Sequence, residues 1–160
     1  MEKPGVLIFG YGNPSRGDDA IGPMLLEHLE ARQWEGIELL TDFQLQVEHA
    51  LDLEGRRLVL FVDAHLSCPP PFAFGPLTPA CDASYTTHAM SPAAVLQVYR
   101  EIRRREPPPG FLLSIRGERF ELGQDLSTAG AANLDAALTF AEGLCVRPQL
   151  AHWLSLCGKM

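Results

Sequence analysis

Four short apolar runs, interleaved with helix signals, constrain this chain more than any other feature of its sequence. Val6-Leu7-Ile8-Phe9 leads into Gly10, and Ile37-Glu38-Leu39-Leu40 closes at Thr41-Asp42. Leu58-Val59-Leu60-Phe61-Val62 ends at Asp63, and Phe111-Leu112-Leu113-Ser114-Ile115 follows much later. Continuous runs of this kind suit strands buried on both faces, which a parallel sheet covered by helices provides. The intervening segments supply those helices. Asp18 or Asp19 is expected to cap a helix through about Arg32, with Ile21, Met24, Leu25 and Leu29 as its buried stripe. A shorter helix is expected over Leu45 to Leu53. Ser91-Pro92 opens another, with Ser91 as cap, and Pro107-Pro108-Pro109-Gly110 ends it. Ser127 or Thr128 starts a last long helix through about Leu144, with Leu134, Leu138 and Ala141 on one face. The proline-rich residues 68–79 read as an edge strand or a surface loop, because proline donates nothing to a ladder.

Strand and helix in alternation imply an α/β domain, a three-layer αβα sandwich with a mostly parallel twisted sheet. One domain is expected over residues 1–147. The tail, 148–160, carries Leu150, Trp153, Leu154 and Leu156, and either docks as a short helix or frays.

Charge narrows the function classes. With 13 basic and 20 acidic side chains the formal net charge is −7, which disfavours a nucleic-acid or anionic-membrane surface. The densest basic cluster, Arg103-Arg104-Arg105, reads as a solvated helix end. No stretch approaches the roughly 18 apolar residues of a membrane span, and the first residues lack a signal peptide's pattern. A cytoplasmic protein without a membrane partner is the expectation. Cys68, Cys81, Cys145 and Cys157 show no C-x-x-C spacing and are read as free thiols.

In open α/β sheets ligands bind beyond the carboxyl ends of the strands. Three loops carry polar chemistry there: residues 10–19, Asp63-Ala64-His65, and Thr86-Thr87-His88-Ala89-Met90. The first resembles half a dinucleotide fingerprint, but Ser15 replaces the third glycine and Pro14 removes a backbone donor. Asp18 and Asp19 also occupy a helix N-terminus that a pyrophosphate would need for itself. The same carboxylates suit a cation. Asp19, Asp63 and His88 make an O, O, N set compatible with nickel, zinc, iron or manganese, with positions open for water or substrate. Taken singly, Asp19 also reads as a helix cap, Asp63 as a loop-orienting carboxylate and His88 as a polar loop residue. His65 reads as a surface histidine or one that orients the site, and His28, His49 and His152 as structural.

Gly10-Tyr11-Gly12-Asn13 followed by Gly17-Asp18-Asp19-Ala20-Ile21-Gly22 resembles the opening signature of the hydrogenase maturation endopeptidases. That family processes the large subunit of nickel–iron hydrogenases. The resemblance continues in Phe61-Val62-Asp63-Ala64, in Thr87-His88, in the segment from Gly117 to Gly123 and in the final helix. It implies that Asp19, Asp63 and His88 bind nickel supplied by the substrate, another divalent metal being possible at the same site. It implies as partner the precursor of a hydrogenase large subunit, and as activity the cleavage of one peptide bond to release a C-terminal extension. Some members carry glutamate where this chain has Asp19. The family's Gly-Gly-Thr turn is replaced after Asp42 by Phe43-Gln44-Leu45.

No G-x-S-x-G elbow is present, and neither Cys68 nor Cys81 has an evident base. Hydrolysis by water, activated by metal or by a carboxylate in the manner of an aspartyl protease, is therefore expected, with Asp42 as a candidate catalytic carboxylate. Gly12 and Asn13 are candidate substrate-binding positions. Two competing readings are a non-proteolytic nickel- or precursor-binding chaperone of the same fold and a nucleotide-binding α/β enzyme.

Overall fold

The structure is a computed structural model and describes residues 3–82 and 90–158. Among these residues five strands form one sheet in the order β2-β1-β3-β5-β4. They are β1 (Val6–Tyr11), β2 (Ile37–Asp42), β3 (Leu58–His65), β4 (Phe72–Leu77) and β5 (Gly110–Arg116). All neighbours are parallel except β4, which runs antiparallel to β5 on one edge. The proline-rich segment thus supplies an edge strand, where Pro76 costs little. Four helices, α1 (Ile21–Glu30), α2 (Pro92–Arg103), α3 (Thr128–Val146) and α4 (Leu150–Leu156), complete the three-layer sandwich.

Alternation along the strands sorts the core into two halves. Val6, Ile8, Leu60 and Val62 face α1, α3 and α4, where Leu25, Leu29, Leu134 and Leu144 are buried against them. Leu7, Phe9, Val59 and Phe61 face the other way, toward Leu45, Leu53, Val95, Leu96 and Tyr99. Residues 150–156 dock: Trp153 is fully buried and its indole N–H donates to the Leu144 carbonyl at 3.1 Å.

Several boundaries differ from the sequence expectation. A 3₁₀ turn (Gly17–Ala20) precedes α1, which starts at Ile21 without a side-chain cap and ends at Glu30. The segment after β2 is a 3₁₀ helix (Val47–Leu53). α2 stops at Arg104, which adopts φ 54, before the prolines are reached. Ser91 and Ser127 do cap α2 and α3, accepting from the amides of Ala94 and Gly130. β3 continues two residues past Asp63. Arg103 and Arg105 pair with Glu54.

Backbone contact sets how closely α1 sits on the sheet. A Cβ on Gly22 would lie 2.7 Å from the Tyr11 carbonyl oxygen and 2.9 Å from that of Val62, neither of which can yield. Gly22→Ala is expected to lower stability by about 2–3 kcal/mol in urea unfolding. Gly143→Ala is its control, because nothing lies within 4 Å of the added methyl. It should be neutral or stabilising by up to about 1 kcal/mol. Equal effects of the two substitutions would refute the contact argument.

Candidate active site

The loop that leaves β1 is folded around Asp19. Gly12 sits at φ 149, and a Cβ there would lie 1.9 Å from the Asp19 carbonyl oxygen, so glycine alone fits. Its N–H donates to the Asp42 carbonyl at 3.0 Å, tying the loop to β2. The Asn13 amide donates to Asp19 Oδ2 at 2.7 Å, and Asn13 Oδ1 accepts from the Ser15 amide at 2.9 Å. Asp19 therefore orders this loop and caps no helix.

Asp18 does not cap the helix either. It is wholly buried, and its Oδ2 accepts from the amides of Glu118 (2.6 Å) and Arg119 (3.1 Å) and from the Ser127 hydroxyl (2.6 Å). Oδ1 accepts from the Ser127 amide at 2.8 Å. Burial pushes this carboxyl up, but the four donors outweigh it and hold it below its ordinary value. Backbone bonds from Gly17 to Gln124, Asp18 to Arg119 and Gly123 to Ser15 zip the same two segments together. The segment from Gly117 to Gly123 thereby becomes a wall of the site, with Phe120 facing the cleft described below.

Asp63 stands inside β3, in register with Ser114 of β5, and its Oδ2 accepts from the Tyr11 hydroxyl at 2.9 Å. Its Oδ1 is buried and has no hydrogen-bond partner among the described residues. Burial is the main reason its pKa rises to about 6; the Tyr11 hydroxyl, the His65 ring and the nearby Ser114 hydroxyl oppose that rise, and the Asp19 charge adds to it. Burial and then Asp63 push the Tyr11 phenol well above its usual value, so Tyr11 stays a hydrogen-bond donor. A buried carboxylate oxygen without a donor is expensive, and a cation satisfies it well.

Asp42 ends β2 at the rim, with 47% of its side chain exposed. Its Oδ1 accepts from the Phe43 amide at 2.7 Å, and Oδ2 lies 3.2 Å from His49 Nε2. His49 Nδ1 accepts from the Gln46 amide at 2.8 Å, so a neutral ring carries its proton on Nε2 and donates to Asp42. A cleft of about 610 Å³ opens here, lined by Asn13, Arg16, Asp19, Asp42, Gln46 and Phe120.

The structure thus gathers Asn13, Asp19 and Asp42 around one cleft, whereas Gly12 and Asp63 are not among its lining; Asp63 is tied to Tyr11 and lies within the field of Asp19. His88 lies outside the described residues. Among the described residues no three histidine, cysteine, aspartate or glutamate side chains stand close enough to hold a metal ion. Sequence reasoning did not single out Tyr11, and His49, read as structural, is buried and hydrogen-bonds Asp42. The position of Tyr11 between two motif glycines and the seven-residue spacing of Asp42 and His49 are the only signals that pointed to them. His65 is exposed, and its Nδ1 accepts from the Ser67 amide at 3.1 Å. All four cysteines are free, and burial pushes the Cys68 thiol up, away from nucleophilic use.

No protein-family model and no curated protein matches the chain. Solved structures do. The NiFe hydrogenase maturation protease HycI from Thermococcus kodakarensis KOD1 superposes with a TM-score of 0.71 at 19% identity, over 91% of this chain and 94% of that one. The hydrogenase maturating endopeptidase HybD from E. coli gives a TM-score of 0.67 at 24% identity, over 90% and 92%. An endopeptidase from Escherichia coli, solved in solution, gives 0.70 at 22% identity, over 92% and 93%. The chain shares their fold nearly end to end.

Proposed function

We propose that this protein is an endopeptidase that removes a C-terminal extension from the nickel-loaded precursor of a nickel–iron hydrogenase large subunit. The observation that carries this reading is the buried Oδ1 of Asp63, without a hydrogen-bond partner among the described residues and within the field of Asp19, at the carboxyl edge of a sheet built like those of the maturation proteases. Asp19, Asp63 and His88 are the side chains that would hold the ion carried by the precursor. Carboxylate oxygens and an imidazole nitrogen suit nickel, and without thiolates they bind a lone ion weakly.

Nickel in the precursor supplies positive charge beside the scissile peptide bond. Asp63 and Asp19 hold the precursor by that charge, and Tyr11 keeps Asp63 in one orientation through its hydroxyl. Asp42 sits in the same cleft as Asp19, and its exposed carboxylate accepts a proton from an attacking water. His49 Nε2–H holds Asp42 in place for that step. Asn13 lines the wall along which the peptide lies, and Gly12 ties that loop to β2 through the Asp42 carbonyl. The reaction belongs in the cytoplasm, where the four free cysteines stay reduced. Among the described residues no helix is long and apolar enough to cross a membrane.

The test is incubation of metal-stripped protein with nickel-loaded and nickel-free precursor, read by mass. Cleavage of the loaded form at least about 100-fold faster is expected, because the ion both anchors and aligns the substrate. Equal cleavage of the two forms would show that nickel is not what is read. Binding of the loaded form without cleavage would overturn the endopeptidase assignment.

A further inference from the structure

We infer that the free edge of β2 binds an extended, non-acidic segment of the precursor by strand addition and feeds it toward Asp42. This deepens the reading above and rests on it. β2 is the outermost strand on its side of the sheet. Its backbone orientation follows from two bonds: the Gly36 carbonyl accepts from Val6 at 3.2 Å and the Asp42 carbonyl from Gly12 at 3.0 Å. Even-numbered residues therefore bond to β1. Alternation along a parallel strand turns the N–H and C=O groups of Ile37, Leu39 and Thr41 outward, where no strand among the described residues pairs with them.

That edge is not blunted by the usual devices. β2 contains no proline or lysine and shows no bulge in its register with β1. Instead a groove of about 630 Å³ runs between the edge and α1, walled by Pro23, Leu26 and Trp34. Trp34 lines it, and its indole nitrogen is buried without a hydrogen-bond partner among the described residues. An added strand brings its backbone donors and acceptors to the outward groups of Ile37, Leu39 and Thr41, and its side chains on one face meet the groove, as strand addition requires.

Charge selects the occupant. Glu27 and Glu30 of α1 line the groove, both exposed and neither in an ion pair among the described residues. Glu38 is neutralised by Arg56 at 2.6 Å, and Arg32 is held by Glu142 at 2.9 Å while lying over the Trp34 ring. The net field is negative and disfavours an acidic segment. Thr41 closes the groove and Asp42, the next residue, lines the catalytic cleft, so a strand laid on β2 ends at the carboxylates. The occupant that fits is the extended region of the precursor around its cleavage point.

Two variants and one exchange measurement test this. Leu39→Pro removes an outward N–H without touching the β1 ladder, and Glu27→Lys/Glu30→Lys reverses the groove charge on an exposed helix face. Each is expected to raise KM for nickel-loaded precursor about 10-fold, equivalent to about 1.4 kcal/mol, with kcat within about twofold. A synthetic peptide spanning the cleavage region should slow hydrogen exchange at the amides of Ile37, Leu39 and Thr41 in the wild-type protein. Unchanged exchange at those three amides, or unchanged KM in the charge-reversed variant, overturns the inference. Wild-type protein that protects these amides yet never cleaves loaded precursor upholds strand addition and overturns the endopeptidase reading instead.

Discussion

Asp63→Asn is expected to lower cleavage of nickel-loaded precursor by about 1,000-fold while making the metal-free protein more stable at pH 8. The two effects share one cause. Asp63 keeps a buried oxygen without a donor among the described residues, and burial raises its pKa from 3.8 to about 6. An acid whose folded pKa is raised binds its proton more tightly when folded, so stability falls as pH climbs from about 4 to 6 and stays low above that. The shift corresponds to on the order of 2 kcal/mol once partial water access is allowed for. Asparagine keeps a carbonyl for the Tyr11 hydroxyl but carries no charge, which removes the penalty together with the group that would meet a cation. Urea midpoints at pH 4.5 and pH 8, with a cleavage assay on the same samples, decide the matter. A variant that is less stable than wild type at pH 8, or that retains activity, would contradict this account of Asp63.

Asp18→Asn is expected to act in the opposite direction on stability, costing about 3 kcal/mol at pH 7. Four donors converge on this buried carboxylate. An asparagine can put its oxygen where Oδ2 accepts three of them, but its NH₂ group then faces the Ser127 amide, donor against donor. The pH dependence carries the signature. The folded pKa of Asp18 is depressed, so its contribution is complete above the unfolded value near 3.8 and disappears as pH falls through the lower folded one. Wild-type stability should therefore drop on acidification below about pH 4 more steeply than that of the variant. Parallel stability curves for the two proteins across that range would refute the role assigned to Asp18. Because Asp18 holds the wall that bears Phe120 to the segment preceding Asp19, lost activity should accompany lost stability.

The strands were legible because long-range context barely enters their encoding. Leu58 to Val62 is apolar at every position, and only a strand covered on both faces buries all of it. Ser91 and Ser127 were legible as caps for a similar reason, since a cap bonds to an amide three residues on. The 3₁₀ turn at Gly17–Ala20 was not, because its geometry answers to partners that lie about 100 residues away. Likewise Arg104, not the proline run, ended α2, since a left-handed residue terminates a helix before any proline is reached.

By itself the sequence determined the layers, the mostly parallel sheet and the loops where polar residues gather, because hydrophobic periodicity and short-range caps are local properties. Asp19, Asp63 and His88 were candidates from their places in those loops, Asp42 was a candidate catalytic carboxylate, and the motif around Asp19 pointed to a family. What only the tertiary structure decided is what each carboxylate touches. Two adjacent aspartates that look alike in sequence part company: Asp18 is satisfied by four donors and is structural, whereas Asp19 faces the cleft. Tyr11 meets Asp63 across 52 residues, and His49 meets Asp42 through the turn of a 3₁₀ helix. Such partnerships depend on the strand order β2-β1-β3-β5-β4, which sets which loops meet above the sheet. A hydrogen bond forms across a few ångströms of space, and distance along the chain says nothing of that until the sheet is assembled.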